Sequence, residues 1–253
     1  MTEEEWANCK EVRPLLRAVR NRLSHRKLRL FGCACCHRLL EFLGPGEQRR
    51  WLINEAYADG GTSTDDFVEA FAERDSNHYF RLNYIHFSRY AIASLGWSEI
   101  PEQNWTSNET AQAWVPHLEE PGAYEEFVTL LISSHAANAV GYRMTDTNPH
   151  SPCPDWDRLQ AAMAIQISDQ TAILRDLVGN PFRPVTLDPS WLTSTVVTLA
   201  QQMYDSRDFS PMPILADALQ DAGCENEEVL NHCRHPGEHV RGCWIVDLLT
   251  GRK

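Results

Sequence analysis

The sequence predicts an all-α protein, a bundle of roughly nine to eleven helices with no substantial sheet. Three observations carry this. Helix start and stop signals recur along the chain, apolar residues repeat at three- and four-residue spacing, and no alternating run of β-branched residues outlasts about five positions. With 253 residues, 43% of them hydrophobic and 23% charged, the chain can bury a large core, as one helical domain or two sharing an interface.

The first helix begins near Thr2, with Glu5 three positions later in the spacing of a capping box, and Pro14 restarts or kinks it. Ser24 caps the second, in which Leu28, Phe31, Cys35, Leu39 and Phe42 form one apolar stripe before Gly44, Pro45 and Gly46 stop it. A third is expected over Glu47–Ala58, and a fourth begins after Ser63 or Thr64. From Asp65 to Leu95 the aromatic spacing of Phe67, Phe71, Tyr79, Phe80, Tyr84, Phe87 and Tyr90 demands at least one buried face. Gly96 to Pro121 reads as a long connection with one short helix, a place for a subdomain boundary or a partner-binding loop. A helix over Ala123–Met144, a loop over Thr145–Pro154 and a long helix over Asp155–Val178 follow. Gly179, Asn180 and Pro181 end that helix, since Gly and Asn accept left-handed dihedrals and Pro cannot continue a helix. Shorter helices are expected over Pro189–Ser206, Pro213–Ala222, Glu225–Arg234 and His239–Leu249.

The formal charge of −12 makes nucleic acid a poor partner for the whole molecule. The charge is uneven, however. Residues 1 to 53 hold 11 Lys/Arg against 6 acids, which leaves +5 there and −17 elsewhere. That excess is either a helix face paired with the acidic remainder or a basic docking surface through Arg17, Arg20, Arg26 and Arg29. No run of about 18 apolar residues exists, and the start is acidic where a secretory signal would be basic, so a cytoplasmic protein without membrane contact is expected. In that compartment the eight cysteines read as thiols or metal ligands.

The chain has no phosphate loop, no dinucleotide glycine motif, no His-Glu-x-x-His and no Gly-x-Ser-x-Gly. Asp75 and His78 have the spacing of one half of a di-iron pair, without a partner helix, and a Cys153–His150 dyad has no orienting group. The strongest signal is C-terminal, where Cys224, His232, Cys233, His235, His239 and Cys243 fall within 20 residues. His239 and Cys243, four apart, could face one ion with Cys224 and Cys233 as the other ligands and His232 or His235 as alternates. That would be a closed structural zinc site; without a Cys-x-x-Cys knuckle, core thiols beside locally bonded histidines are the competing reading. Cys33 and His37 share a helix face, but one helix offers at most two ligands.

The stretches Arg26 to Arg38 (RKLRLFGCACCHR), Gly179 to Pro184 (GNPFRP) with Leu187 to Leu192 (LDPSWL), and Leu215 to Leu219 (LADAL) through Ala222–Cys224, His232–Arg234 and His239 to Trp244 (HVRGCW) resemble a widespread bacterial helical family. The family also opens as this chain does over Thr2–Trp6. The resemblance covers roughly residues 1 to 60 and 170 to 251; it implies a helical bacterial protein and no particular mechanism. Against the family's Ala- and Trp-rich middle, residues 61–153 form a variable, aromatic-rich helical insert, and 154–253 is expected to pack with 1–60 as one domain. Between its two prolines, Phe182 and Arg183 are held extended, as a lock with Phe182 in the core and Arg183 paired to an acid, or as a rigid recognition element.

The absence of catalytic signatures, eight tryptophans and the charge asymmetry lead to a protein-interaction or scaffold module, in a regulatory or defence assembly, with another protein as partner. The alternatives are a zinc enzyme, its ion held C-terminally or by His78, His86 and His135, and nucleic-acid binding through the N-terminal arginines.

Overall fold

The computed structural model describes residues 1–19, 22–42, 44–72, 136 and 156–252. Among them there are ten α-helices and no strand, so the protein is all-α. No helix among the described residues is long and apolar enough to cross a membrane.

The helices are α1 (Glu3–Asn8), α2 (Val12–Val19), α3 (His25–His37), α4 (Pro45–Ala58), α5 (Thr64–Ala72), α6 (Trp156–Val178), α7 (Ser194–Ser206), α8 (Met212–Asp221), α9 (Glu227–Arg234) and α10 (Trp244–Thr250). Single 3-10 turns lie at Leu40–Phe42 and Pro189–Trp191. Local chemistry explains most boundaries. Thr2 and Glu5 form the reciprocal capping box, with Thr2 N–H donating to Glu5 Oε2 at 2.7 Å and Glu5 N–H to Thr2 Oγ1 at 3.1 Å. Ser24, Ser63, Thr193 and Asn226 each accept backbone N–H groups at the start of α3, α5, α7 and α9.

Three expected helices are shorter than the sequence suggested: the one expected over Pro189–Ser206 is a 3-10 turn at Pro189–Trp191 followed by α7, capped by Thr193, and two others differ as follows. The α3 helix ends at His37, and Leu39, on the expected stripe, is buried from the turn that follows. The last helix begins at Trp244 and not at His239, because Gly242 takes a left-handed φ of 92° just before it and Pro236 with Gly237 keeps the preceding segment irregular. Ala136, helical and buried, falls within the expected Ala123–Met144 helix. The expected connection over Gly96–Pro121, most of the aromatic stripe, His78, His86, His135, His150 and Cys153 lie outside the described residues.

The chain divides into two compact units, one of residues 1–8 with 172–253 and one of 9–171, with the division inside α6. Of the segment 1–60 expected to pack with 154–253, only residues 1–8 fall in the unit of 172–253. In the 9–171 unit α4 packs on α3 and on α5, burying Phe31, Cys33, Cys36, Trp51 and Phe67. In the other unit α7 packs on α8 and α10, and α8 on α9, around Val196, Met203, Tyr204, Leu215, Leu219, Val229, Ile245 and Val246. This core fixes the ends of α9 and α10, the two elements that border the candidate site.

Candidate metal centre

Asp176, in the last turn of α6, is buried although a helix C-terminus disfavours negative charge. Its carboxylate is compensated from the segment joining α9 to α10. His239 Nδ1 lies 2.6 Å and His232 Nε2 3.2 Å from Asp176 Oδ1, and Val240 N–H donates to Asp176 Oδ2 at 3.0 Å. Cys243, at the start of α10, places Sγ 3.2 Å from His232 Nε2 and 4.0 Å from His239 Nδ1. The two imidazoles meet edge to face with centroids 4.9 Å apart.

One donor atom from each of Asp176, His232, His239 and Cys243 lies within 4.8 Å of every other. Zinc bonds of 2.0–2.1 Å to nitrogen and 2.3 Å to sulfur require tetrahedral edges of about 3.3–3.6 Å between donors. The four distances from the carboxylate and the thiol to the histidines, 2.6, 3.2, 3.2 and 4.0 Å, bracket that range. The set is therefore one that could hold a metal ion.

The ring nitrogens distinguish this from a nucleophile–base–acid relay. A catalytic triad uses both imidazole nitrogens, one toward the nucleophile and one toward the acid. Here each histidine presents a single nitrogen to thiol and carboxylate alike, and His239 Nε2 is buried with no hydrogen-bond partner among the described residues. Four donor groups converge, as in a cluster that could hold a metal ion.

Burial raises the Asp176 carboxyl, but hydrogen bonds and attraction from His232 and His239 outweigh it and bring it from 3.8 down to about 2. Burial, and then the neighbouring Asp176 charge, push the Cys243 thiol well above its usual range. The site thus offers an ionised carboxylate, while the thiol must lose its proton to an incoming cation.

Of the ligands expected from spacing, His239 and Cys243 meet here, joined by His232, one of the two alternates. Cys224 and Cys233 do not join them. Both are buried in the apolar core, and burial holds the Cys233 thiol up at about 12. His235 is exposed, its Nδ1 accepting from Gly237 N–H at 3.0 Å. Spacing gave no sign of Asp176, 56 residues before His232. The sequence shows only an acid in a helix's last turn, where the dipole favours a cation, and its burial comes from the fold.

The residues expected to bind a partner are placed as follows. Arg26 Nε pairs with Asp59 at 2.7 Å, while the Arg29 guanidinium donates to Asn54 Oδ1 at 3.0 Å and covers the Tyr57 and Phe67 rings. Both are engaged inside their own unit. Arg17 is exposed on α2, and Arg20 lies outside the described residues. Arg183 makes a two-pronged pair with Glu3, Nε at 2.7 Å and NH2 at 3.1 Å, and Asn180 Nδ2 donates to the same carboxylate. The acid half of the expected lock is present, but its apolar half differs: Pro181 is buried and Phe182 is 41% exposed. Cys33 is buried beneath Asn54, whose Nδ2 lies 3.0 Å from its Sγ, and no second group of ligands converges among the described residues.

No known protein family, no curated protein and no solved structure matches the chain.

Proposed function

We propose that this protein is a zinc-holding helical interaction module in which one ion, bound by Asp176, His232, His239 and Cys243, has a structural role. The convergence of four donor atoms within 4.8 Å carries this reading. One carboxylate, two imidazoles and one thiolate form a borderline donor set suited to zinc, and a single carboxylate is too poor in oxygen for calcium or magnesium. Two anionic ligands neutralise a divalent cation, so a buried, uncharged centre replaces a cluster of polar groups.

Four protein ligands fill a tetrahedron and leave no position for a reactive water, which favours a structural ion over a hydrolytic one. The ion would tie the end of α6 to the α9–α10 connection, whose Val240 amide already donates to Asp176. A unit held in this way offers a rigid surface, and the sequence, rich in tryptophan and without catalytic signatures, supports a protein as the partner.

Elemental analysis of protein purified without chelator tests the ion. About one zinc per chain is expected, retained in Cys233→Ala and lost in Cys243→Ser and His239→Ala. A chain that takes up no zinc even when refolded with it overturns the reading, as does a Cys233→Ala chain that loses its zinc. Stoichiometric recovery of one partner by zinc-loaded but not chelated protein is expected, and its failure would remove the interaction role.

A further inference from the structure

Trp244 follows the ligand Cys243 directly, and its indole is half-buried against two other segments. One contact is with the His232 ring, at a centroid distance of 5.2 Å and a tilt of 58°. Another is with Gly179, three residues beyond the ligand Asp176. A Cβ on residue 179 would come within 3.1 Å of indole Cγ and Cδ2, tighter than ordinary van der Waals contact. The φ of 69° at Gly179 separately favours glycine. One side chain, on the segment that carries Cys243, therefore meets the segments that carry His232 and Asp176.

Ligating histidines are usually oriented by a hydrogen bond from the nitrogen that does not bind metal. His232 lacks one: its hydrogen-bond and ion-pair contacts are made through Nε2, and Nδ1 has no hydrogen-bond partner among the described residues. Its side chain is 18% exposed, and the groups that Nε2 meets, Asp176 and Cys243, are themselves ligands of the proposed ion. Of the two rings packed on His232, that of His239 also carries a ligand nitrogen, which leaves the indole as the neighbour free to act as a support.

We propose that Trp244, seated on Gly179, is the positioning residue of the metal centre: it holds the His232 ring with Nε2 toward the ion, in place of the missing hydrogen bond. The proposal rests on the zinc reading above. It assigns Trp244 no contact with the metal and makes glycine at position 179 a requirement of the site as well as of the helix end. An aromatic ring at position 244 can do this, and an aliphatic side chain of similar bulk cannot.

The test compares wild type, Trp244→Phe, Trp244→Leu and Gly179→Ala by competition with a chromophoric zinc chelator, with helix content and melting recorded for each metal-free chain. Cobalt(II) serves as a spectroscopic probe of the tetrahedral field. In Trp244→Leu, zinc binding is expected to weaken about tenfold, the size of other outer-shell losses, with helix content unchanged, while Trp244→Phe stays within about threefold of wild type. The cobalt ligand-field bands should shift in Trp244→Leu and not in Trp244→Phe. Gly179→Ala should weaken binding in the same direction.

Equal affinity and identical cobalt spectra in Trp244→Leu and wild type would overturn the positioning role while leaving the zinc centre standing. Equal losses in Phe and Leu variants would overturn it too, since bulk packing would then be the cause. A wild-type chain that binds neither zinc nor cobalt would overturn the zinc reading itself, and this proposal with it.

Discussion

At the scale of single residues, Asp176 organises the site: one carboxylate oxygen is spoken for by the Val240 amide, and the other is presented to both histidines. Replacing it with Asn keeps shape and an oxygen for the amide but removes the charge that balances the cation. Asp176→Asn should therefore weaken zinc binding more than the roughly tenfold cost of an outer-shell change, as measured by chelator competition. Because burial and Asp176 hold Cys243 as a thiol, loading must release its proton. Adding zinc to the metal-free chain in weak buffer should acidify the solution, and affinity should rise with pH; a proton-neutral titration would show that Cys243 is not a ligand. In the metal-free chain the sign for Asp176 is opposite to that of a raised group. Its folded value lies below 3.8, so its contribution is present above that pH and is lost as pH falls through about 2. His239 and Cys243 were legible as a pair because four-residue spacing keeps side chains close in helix and tight turn alike. Asp176 was not legible, since only tertiary packing brings residues so far apart in sequence together.

At the scale of elements, helix ends were written into the chain more plainly than helix lengths. Thr2, Ser24 and Ser63 could be read as caps because a short side-chain oxygen before an amphipathic run satisfies N–H groups that have no other partner. Asn226 belongs to the same class and matters more for function, because it caps the eight-residue α9 that carries His232. It accepts from Glu228 N–H at 3.0 Å and Val229 N–H at 3.2 Å. Asn226→Ala should cost about 1 kcal/mol, visible as a lower denaturant midpoint with an unchanged slope. The irregular stretch between α9 and α10 reads as helical from His239 because Val240, Trp244 and Leu248 keep a four-residue spacing. Gly242 breaks that run, and the Val240 amide serves Asp176. The bend thus lies between His239, in the connection, and Cys243, at the cap of α10, whose side chains come within 4.0 Å.

At the scale of the whole molecule, sequence order and structural membership diverge. Met1–Asn8 joins residues 172–253, while Cys9 onward belongs to the other unit. The bonds that achieve this are specific. Arg175, next to Asp176, donates from Nε and NH2 to the Trp6 carbonyl at 3.2 and 2.8 Å, and Glu3 receives Arg183 and Asn180. The sequence showed an N-terminal helix but not where it docks, because apolar spacing identifies a buried face and not its partner. Trp6 is only 3% exposed, so Trp6→Ala should destabilise the unit of residues 172–253 by about 3–5 kcal/mol. Zinc, bound as proposed, would act on the same unit, adding about 4 kcal/mol when free ion stands a thousandfold above its dissociation constant. Hydrogen exchange resolves the two effects by location. Chelation and Trp6→Ala should each accelerate exchange across Ser194–Thr250 and leave Val12–Ala72 at its former rate, although Trp6 is six residues from Val12 and far in sequence from Ser194. Added zinc should slow exchange in the variant again, since ligand binding and the docked N-terminal helix stabilise one folded unit. Acceleration spread equally over both segments would mean that the two units open together, and the ion would then govern the fold of the entire chain.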